Sequence, residues 1–272
     1  MTPLYAGTRE RIAGVEQAFG WSSLSIDGHT WRWMDTGAAG MPIVLLPGSV
    51  GDAAMFFKLL EQPRELPRLI ALTYPALSDP KLLAEGLAGV LDHLGLDAVA
   101  LAGSSFAAYW AAFFAESHRP RLRALMLGNG FTDKHDLEGH PFFDRSYIET
   151  ASAGDLHMSW LDRVMQAPAT ELVALQQYML AERQTPENLH ARLLGVVHAT
   201  EGPVVAADLP LTILDCPDDP LISTLAQERL RRRNPHATHL SIPGGGHYPH
   251  VLRPLGYAQA LQALVQSAKI FA

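Results

Sequence analysis

Six short runs of apolar residues recur along the chain, and stretches with apolar positions at helical spacing separate them. Such runs of four or five residues are typical of strands buried on both faces, as in a parallel sheet covered by helices. The predicted strands of this kind are 43–46, 69–72, 98–102, 124–127, 211–214 and 239–242. Their alternation with helices predicts a doubly wound, mostly parallel α/β fold.

The N-terminal part of the chain follows a different pattern. Residues 8–19 carry apolar positions at helical spacing, which predicts a short amphipathic helix. Residues 24–26 and 30–34 are predicted strands, and Asp27-Gly28 between them is typical of a tight hairpin turn.

One connection between predicted strands is unusually long. A simple crossover needs about a dozen residues, but Gly128–Pro210 contains several stretches of helical pattern. We interpret 131–208 as a helical cap inserted into an α/β core formed by 1–130 and 209–272. Ligands of such folds bind beyond the carboxyl ends of the strands, which favours a cap there over helices that pack away from any site.

Composition and charge narrow the classes of partner. The chain has 272 residues, of which 48% are apolar, and its formal net charge is −7. An acidic protein repels phosphate backbones, so nucleic acid is not an expected partner. The single cysteine, Cys216, suits a reducing cytoplasm. We find neither a signal peptide nor an apolar run long enough to span a membrane. The sequence leaves the oligomeric state open, a homodimer included.

One predicted strand leads into Gly103-Ser104-Ser105-Phe106-Ala107 and then into an apolar helix. A serine between two small residues at a strand-to-helix turn is typical of a nucleophile elbow, where larger flanking side chains would collide with neighbouring elements. Ser105 is therefore the predicted nucleophile. Ser104 is the competing serine, but its position in the motif directs its side chain away from the apex of the turn.

A serine hydroxyl needs a base to become a good nucleophile. The chain has twelve histidines, so position must select among them. A glycine-rich turn, Gly244-Gly245-Gly246, follows the last predicted strand and leads into His247, which we predict as the base. His250 is the nearest rival, but it lies toward the following helix.

The third member of such a site is a carboxylate that orients the imidazole. In this fold it lies between the serine and the histidine in chain order. Asp215, Asp218 and Asp219 follow or end the penultimate predicted strand. We favour Asp219, with Asp218 next, because turns and helix caps also use aspartates.

Acyl transfer also needs donors for a developing oxyanion. One predicted donor is the backbone N–H of Phe106, which follows the nucleophile. The other is the N–H of Ser49 in the turn 47–51, with Val50 as the alternative. No Lys-Ser or Lys-Thr pair follows the glycines of that turn, which argues against a phosphate-binding loop. Because His and Cys are not at metal-ligand spacing, we predict neither a metal nor a cofactor.

These motifs together resemble the α/β-hydrolase superfamily over nearly the whole chain. Several short strings are more narrowly similar to its maspardin branch: 53–57, 71–75, 91–97 and 128–133. Maspardin itself is discussed as a binding protein and lacks the histidine in the corresponding Gly-Gly loop. This chain differs by having His247, which favours catalysis and means that the binding role of the branch does not carry over to it.

The leading hypothesis is a serine hydrolase that cleaves an ester or thioester of a small to medium acyl substrate. The alternative is a catalytically silent protein-binding module with the same fold. A third interpretation keeps the triad but uses it for other chemistry, such as carbon–carbon hydrolysis, perhydrolysis or acyl transfer, because fold alone does not separate these reactions.

Overall fold

A mostly parallel, twisted sheet forms the centre of the fold in the computed structural model, which describes residues 2–62 and 66–270. The described strands are β1 (Ser22–Ile26), β2 (His29–Asp35), β3 (Ile43–Leu46), β4 (Leu69–Thr73), β5 (Val99–Ser104), β6 (Leu122–Gly128), β7 (Leu211–Asp215) and β8 (Thr238–Ser241). Their spatial order is β1-β2-β4-β3-β5-β6-β7-β8. The strand β2 is antiparallel to both of its neighbours, and all other pairs are parallel.

Helices cover both faces of this sheet. The described α-helices are α1 (Pro3–Phe19), α2 (Phe57–Leu60), α3 (Pro80–His93), α4 (Phe106–Ser117), α5 (Arg145–Thr150), α6 (Ala153–Gln166), α7 (Glu171–Tyr178), α8 (Pro186–Val197), α9 (Thr224–Arg233), α10 (Pro249–Leu252) and α11 (Pro254–Ile270). Within the described ranges, none of them combines the length and apolar composition needed to cross a membrane.

The strand β5 illustrates why the apolar runs are continuous. Val99 and Leu101 belong to the core cluster that contains α3 and α4, whereas Ala100 and Ala102 belong to the cluster that contains α1 and α11. Successive side chains of a strand point to opposite faces, so a strand covered on both faces needs apolar residues at every position. The doubly wound α/β prediction is therefore confirmed.

The N-terminal helix is longer than predicted. It begins at Pro3 rather than at residue 8, because the Thr2 side chain accepts a hydrogen bond from the Tyr5 N–H and Pro3 occupies the first turn. The hairpin prediction is correct: Asp27 and Gly28, with φ of 50° and 81°, form the turn between the antiparallel strands β1 and β2.

The last strand departs from the prediction of burial on both faces. The residues of β8 are mostly exposed, although the sequence run 239–242 is predicted to be buried. The reason is its position at the edge of the sheet, where it pairs with β7 alone. Edge strands have solvent on one side, and periodicity alone does not reveal which strand lies there.

The connection between β6 and β7, residues 129–210, is called the β6–β7 segment below. It contains short 3₁₀ turns and the helices α5 to α8, and a π-helical turn at Met179–Arg183 extends α7. It has a hydrophobic cluster of its own that includes Leu156, Leu180 and Leu193. The same cluster includes Val50 from the turn after β3, so the segment packs on the carboxyl edge of the sheet.

Candidate active site

Ser105 occupies the single position between β5 and α4. Its φ of 55° and ψ of −120° lie in a region that residues other than glycine rarely adopt, so the turn is strained. The Ser105 N–H donates to the Gly128 carbonyl at 2.8 Å, and the Ser105 carbonyl accepts from the N–H groups of Ala108 and Tyr109. The serine is thereby anchored to both β6 and α4 at the carboxyl edge of the sheet.

Two glycines allow the close contacts around this turn. A Cβ added to Gly103 would lie 2.5 Å from the Ala107 carbonyl oxygen, which explains the small residue before the serine. A Cβ added to Gly48 would lie 3.1 Å from the Cβ and 3.7 Å from the Oγ of Ser105. The turn after β3 therefore lies directly against the serine.

Asp219 and His247 form a hydrogen-bonded pair. The Nδ1 atom of His247 lies 2.8 Å from Oδ2 and 3.1 Å from Oδ1 of Asp219. The aspartate is on the loop after β7 and the histidine is on the glycine turn after β8, so adjacent parallel strands deliver both to one edge. This pairing directs Nδ1 to the carboxylate, so Nε2 on the other side of the ring points away from it.

Other groups hold the Asp219 carboxylate in place. Its Oδ1 accepts from the N–H groups of Leu221 at 2.8 Å and Ile222 at 3.1 Å, and its Oδ2 accepts from the Asn129 amide at 2.5 Å. Burial by itself raises the pKa of Asp219, but the hydrogen bonds from His247 and Asn129 outweigh it. The pKa therefore lies below its ordinary value, and the carboxylate is charged at neutral pH.

Asn129 is a residue of this site that sequence reasoning missed. It follows β6 with a φ of 47°, and its N–H donates to the Leu214 carbonyl. Its amide also donates to the Gly246 carbonyl at 3.0 Å, so one side chain joins the aspartate loop to the histidine turn. The signal for it is an asparagine directly past a predicted strand, since asparagine tolerates positive φ.

The three residues predicted as a triad lie on the same edge of the sheet. The Ser105 N–H is bonded to Gly128, and the next residue, Asn129, binds both Asp219 and the His247 turn. Across residues 2–62 and 66–270, no hydrogen bond joins the Ser105 hydroxyl directly to His247.

The alternative acids have other partners. Asp218 accepts from the N–H groups of Gly244 at 2.8 Å and Gly246 at 3.0 Å, so it orders the glycine turn. Asp215 ends β7 and pairs with Arg231 at 3.2 Å, and burial raises its pKa. Neither carboxylate contacts the His247 imidazole.

The alternative histidine, His250, is buried in α10. Its ring packs against Phe56 with ring centroids 4.8 Å apart, and burial lowers its pKa to about 3. The imidazole is therefore neutral at physiological pH, and it packs in the core between α10 and Phe56.

A cavity of about 400 Å³ opens over His247. Its walls are mainly apolar and come from the β6–β7 segment, the turn after β3, the loops after β7 and β8, and α10. Residues that line it include Val50, Phe142, Trp160, Val164, Leu172, Leu180, Leu221 and Leu252. In the part of the chain that the structure describes, no cluster of three or more His, Cys, Asp or Glu side chains is arranged to hold a metal.

The alpha/beta hydrolase family model matches residues 43–260. The chain belongs to this family. Human maspardin is 29% identical over 243 residues, which cover 84% of this chain and 76% of maspardin, in agreement with the maspardin-like branch.

Solved structures of other hydrolases share the fold. A thermophilic esterase from Thermogutta terrifontis superposes with a TM-score of 0.73 and 22% identity, covering 90% of this chain and 97% of that one. A putative lipase from Acinetobacter baumannii superposes with a TM-score of 0.74 and 15% identity, covering 100% and 98%. At such identities the likeness extends to the hydrolase fold alone.

Proposed function

We propose that this alpha/beta hydrolase is a serine esterase or thioesterase that uses Ser105, His247 and Asp219. The observation that carries the proposal is the buried Asp219–His247 pair, with 2.8 Å between Oδ2 and Nδ1, on the same sheet edge as a serine in a strained turn. A carboxylate at Nδ1 is the partner that the imidazole of a Ser-His-Asp triad uses, because it holds the tautomer and stabilises the cation.

In this mechanism Ser105 Oγ attacks the acyl carbon while its proton moves to Nε2 of His247. The N–H groups of Ser49 and Phe106 stabilise the oxyanion of the tetrahedral intermediate. When the intermediate collapses, the alcohol or thiol leaves with the proton from His247. Water then attacks the acyl-enzyme with the same base, and the carboxylic acid is released.

The β6–β7 segment has the position expected of a cap in this proposal. Together with the turn after β3 and the loops after β7 and β8 it borders a mainly apolar cavity of about 400 Å³ over His247. A space of that size and polarity suits the acyl chain of a small to medium substrate. An open surface groove would instead suit a polymer.

A second candidate function is a catalytically silent binding module. The 29% identity to human maspardin keeps it as the alternative, because maspardin is discussed as a binding protein. The histidine after the Gly-Gly pair argues against it, since a binding module would not need His247 paired with a buried carboxylate.

A fluorophosphonate probe, which labels activated serines, separates the two candidates. We expect rapid labelling of the wild-type protein and none of Ser105→Ala. Ser104→Ala is the matched control, because it removes the hydroxyl of the preceding residue at the end of β5, and it should label at the wild-type rate. Silence of the wild-type protein toward the probe and toward a panel of aryl esters and acyl thioesters would refute the esterase proposal.

A further inference from the structure

Arg192 is a fully buried arginine in α8 of the β6–β7 segment. Its Nη1 donates to the carbonyls of Gly48 at 3.0 Å and Gly51 at 2.7 Å, and its Nη2 donates to the Tyr74 carbonyl at 3.0 Å. The guanidinium also lies 3.7 Å from the centre of the Tyr74 ring. Among the described residues no carboxylate pairs with it, so its charge is balanced largely by carbonyls of the turn 47–51.

Two further side chains bind the same turn. Gln184 donates to the Ser49 carbonyl at 2.7 Å and accepts from the Gly51 N–H at 2.8 Å. The Tyr74 hydroxyl lies 2.9 Å from the Gly48 carbonyl oxygen and 3.0 Å from the Pro47 carbonyl oxygen, so its one proton is shared between them. The β6–β7 segment and the residue after β4 thus hold the carbonyls of Gly48, Ser49 and Gly51.

The planar peptide group links the direction of the Gly48 carbonyl to the direction of the Ser49 N–H. In a trans peptide the C=O and the N–H of one unit point in opposite directions, and no cis peptide occurs in the described residues. Because Arg192 and Tyr74 hold the Gly48 carbonyl, the Ser49 N–H of that unit must point away from them. Gly48 itself lies against Ser105, since a Cβ added to Gly48 would lie 3.1 Å from the serine Cβ.

We propose that Arg192 is a positioning residue for the oxyanion hole: it fixes the Gly48–Ser49 peptide so that the Ser49 N–H can stabilise the oxyanion formed at Ser105. The inference rests on the esterase function proposed above. It also means that the β6–β7 segment, besides covering the cavity, sets the geometry of a donor in the turn after β3.

The test compares Arg192→Met and Arg192→Lys with the wild-type protein on an aryl ester. Removing an oxyanion donor altogether costs about 10²- to 10³-fold in kcat, so misdirecting one should lower kcat of Arg192→Met by about 10- to 100-fold. KM should change little, because the ground-state substrate gains little from this donor. Arg192→Lys keeps a donor and a charge at the site and should recover part of the loss.

A trifluoromethyl ketone, which forms a tetrahedral adduct with an active serine, supplies a readout that a purely structural role would not move. Its inhibition constant should rise in Arg192→Met by the same factor by which kcat/KM falls.

Arg183→Met is the matched control. Arg183 lies in the same segment, and its Nη2 is 2.8 Å from Oδ2 of Asp52, the residue after the turn 47–51. It does not bind the Gly48–Ser49 peptide. We expect it to lower the melting temperature while kcat and the inhibition constant stay at wild-type values.

If Arg192→Met does not fold, Tyr74→Phe tests the inference in its place. It removes the hydroxyl near the Gly48 carbonyl and keeps the aromatic ring. The loss of one such hydrogen bond should lower kcat about two- to tenfold. A folded Arg192→Met with wild-type kcat and wild-type inhibitor affinity would overturn the inference about Arg192 but not the esterase function. If only Tyr74→Phe folds, the same result in that variant would have the same meaning. A wild-type protein that hydrolyses no ester and takes no probe would instead overturn the esterase function, and this inference with it.

Discussion

Asp218 and Asp219 are neighbours in sequence with different tasks. Asp219 contacts the His247 imidazole, whereas Asp218 binds the N–H groups of the glycine turn that presents that histidine. The two carboxylates are chemically identical, so only the direction of each side chain separates them. The direction of the Asn129 side chain matters in the same way, because its amide donates to the Asp219 carboxylate and helps to keep the pKa of Asp219 low.

Asparagine substitutions at the two positions should have unequal effects. We expect Asp219→Asn to lower kcat on an aryl ester by roughly 10³- to 10⁴-fold, because the imidazole loses the carboxylate that holds its tautomer and stabilises its cation. Asp218→Asn keeps an acceptor for the glycine turn and should lose less than about tenfold, the scale of a single hydrogen bond. Equal losses in steady-state assays of the two variants would contradict the assignment of Asp219.

The lowered pKa of Asp219 also predicts how stability depends on pH. A carboxylate with a folded-state pKa below its unfolded value binds fewer protons when folded, so its contribution is complete above the ordinary value of about 3.9 and is lost as pH falls through the folded pKa. The free energy of unfolding of the wild-type protein should therefore fall more steeply between pH 5 and 3 than that of Asp219→Asn.

The difference in slope is limited to one proton, or about 1.4 kcal/mol per pH unit. Urea unfolding of both proteins at several pH values measures it. Parallel curves would show that the hydrogen bonds at Asp219 do not favour its charged form.

Where a helix packs closely against the sheet, only a small residue fits between the two elements. Gly86 of α3 lies against the Trp31 ring of β2, and Trp31 is almost fully buried. A Cβ added to Gly89, one turn later, would lie 2.9 Å from the terminal Cδ1 of Ile26 and 3.7 Å from its Cγ1 and Cγ2. The two glycines of one helix should therefore respond differently to the same added methyl group.

Gly86→Ala should destabilise the fold by about 1–3 kcal/mol, because the added carbon forces the buried indole out of its place. Gly89→Ala is the matched control. It should be neutral or up to about 1 kcal/mol more stable, since alanine is the better helix former and the Ile26 methyl can move. Chemical denaturation followed by tryptophan fluorescence tests both, and a Gly86→Ala protein as stable as wild type would show that α3 shifts without cost.

The sequence predicted which helices and strands exist better than it predicted their burial and their first residues. Every predicted strand is present, because the apolar runs are long enough to mark them. The exposure of β8 was predicted wrongly, since the pattern of a run does not reveal whether its strand has one neighbour or two. The early start of α1 depends on a single cap by Thr2 rather than on periodicity.

For the molecule as a whole, the packing of the β6–β7 segment over the sheet edge creates the cavity beside His247. Val164 of α6 lines this cavity, whereas the next residue, Met165, is 61% exposed on the outer side. Adjacent positions of one helix therefore probe the inside and the outside of the proposed cap.

Filling the cavity should shorten the acyl chain that the protein accepts. Each methylene kept out of an apolar site forfeits ~0.8 kcal/mol, so Val164→Trp should lower kcat/KM for an octanoate ester relative to a butyrate ester by about tenfold or more. Met165→Trp adds the same side chain to the outer surface and should keep the wild-type ratio. An unchanged ratio in Val164→Trp would place the acyl chain elsewhere.

The sequence by itself determined the fold class, the strand-to-helix turn at Ser105 and the loops that carry Asp219 and His247, because apolar runs and turn residues act locally along the chain. Only the tertiary structure decided which aspartate meets the imidazole, that Asn129 joins the two loops, and that Arg192 reaches the turn 47–51. The residues concerned are separated by 28, 90 and 144 positions. Contacts over such distances depend on how the strands and helices pack, which no local pattern encodes.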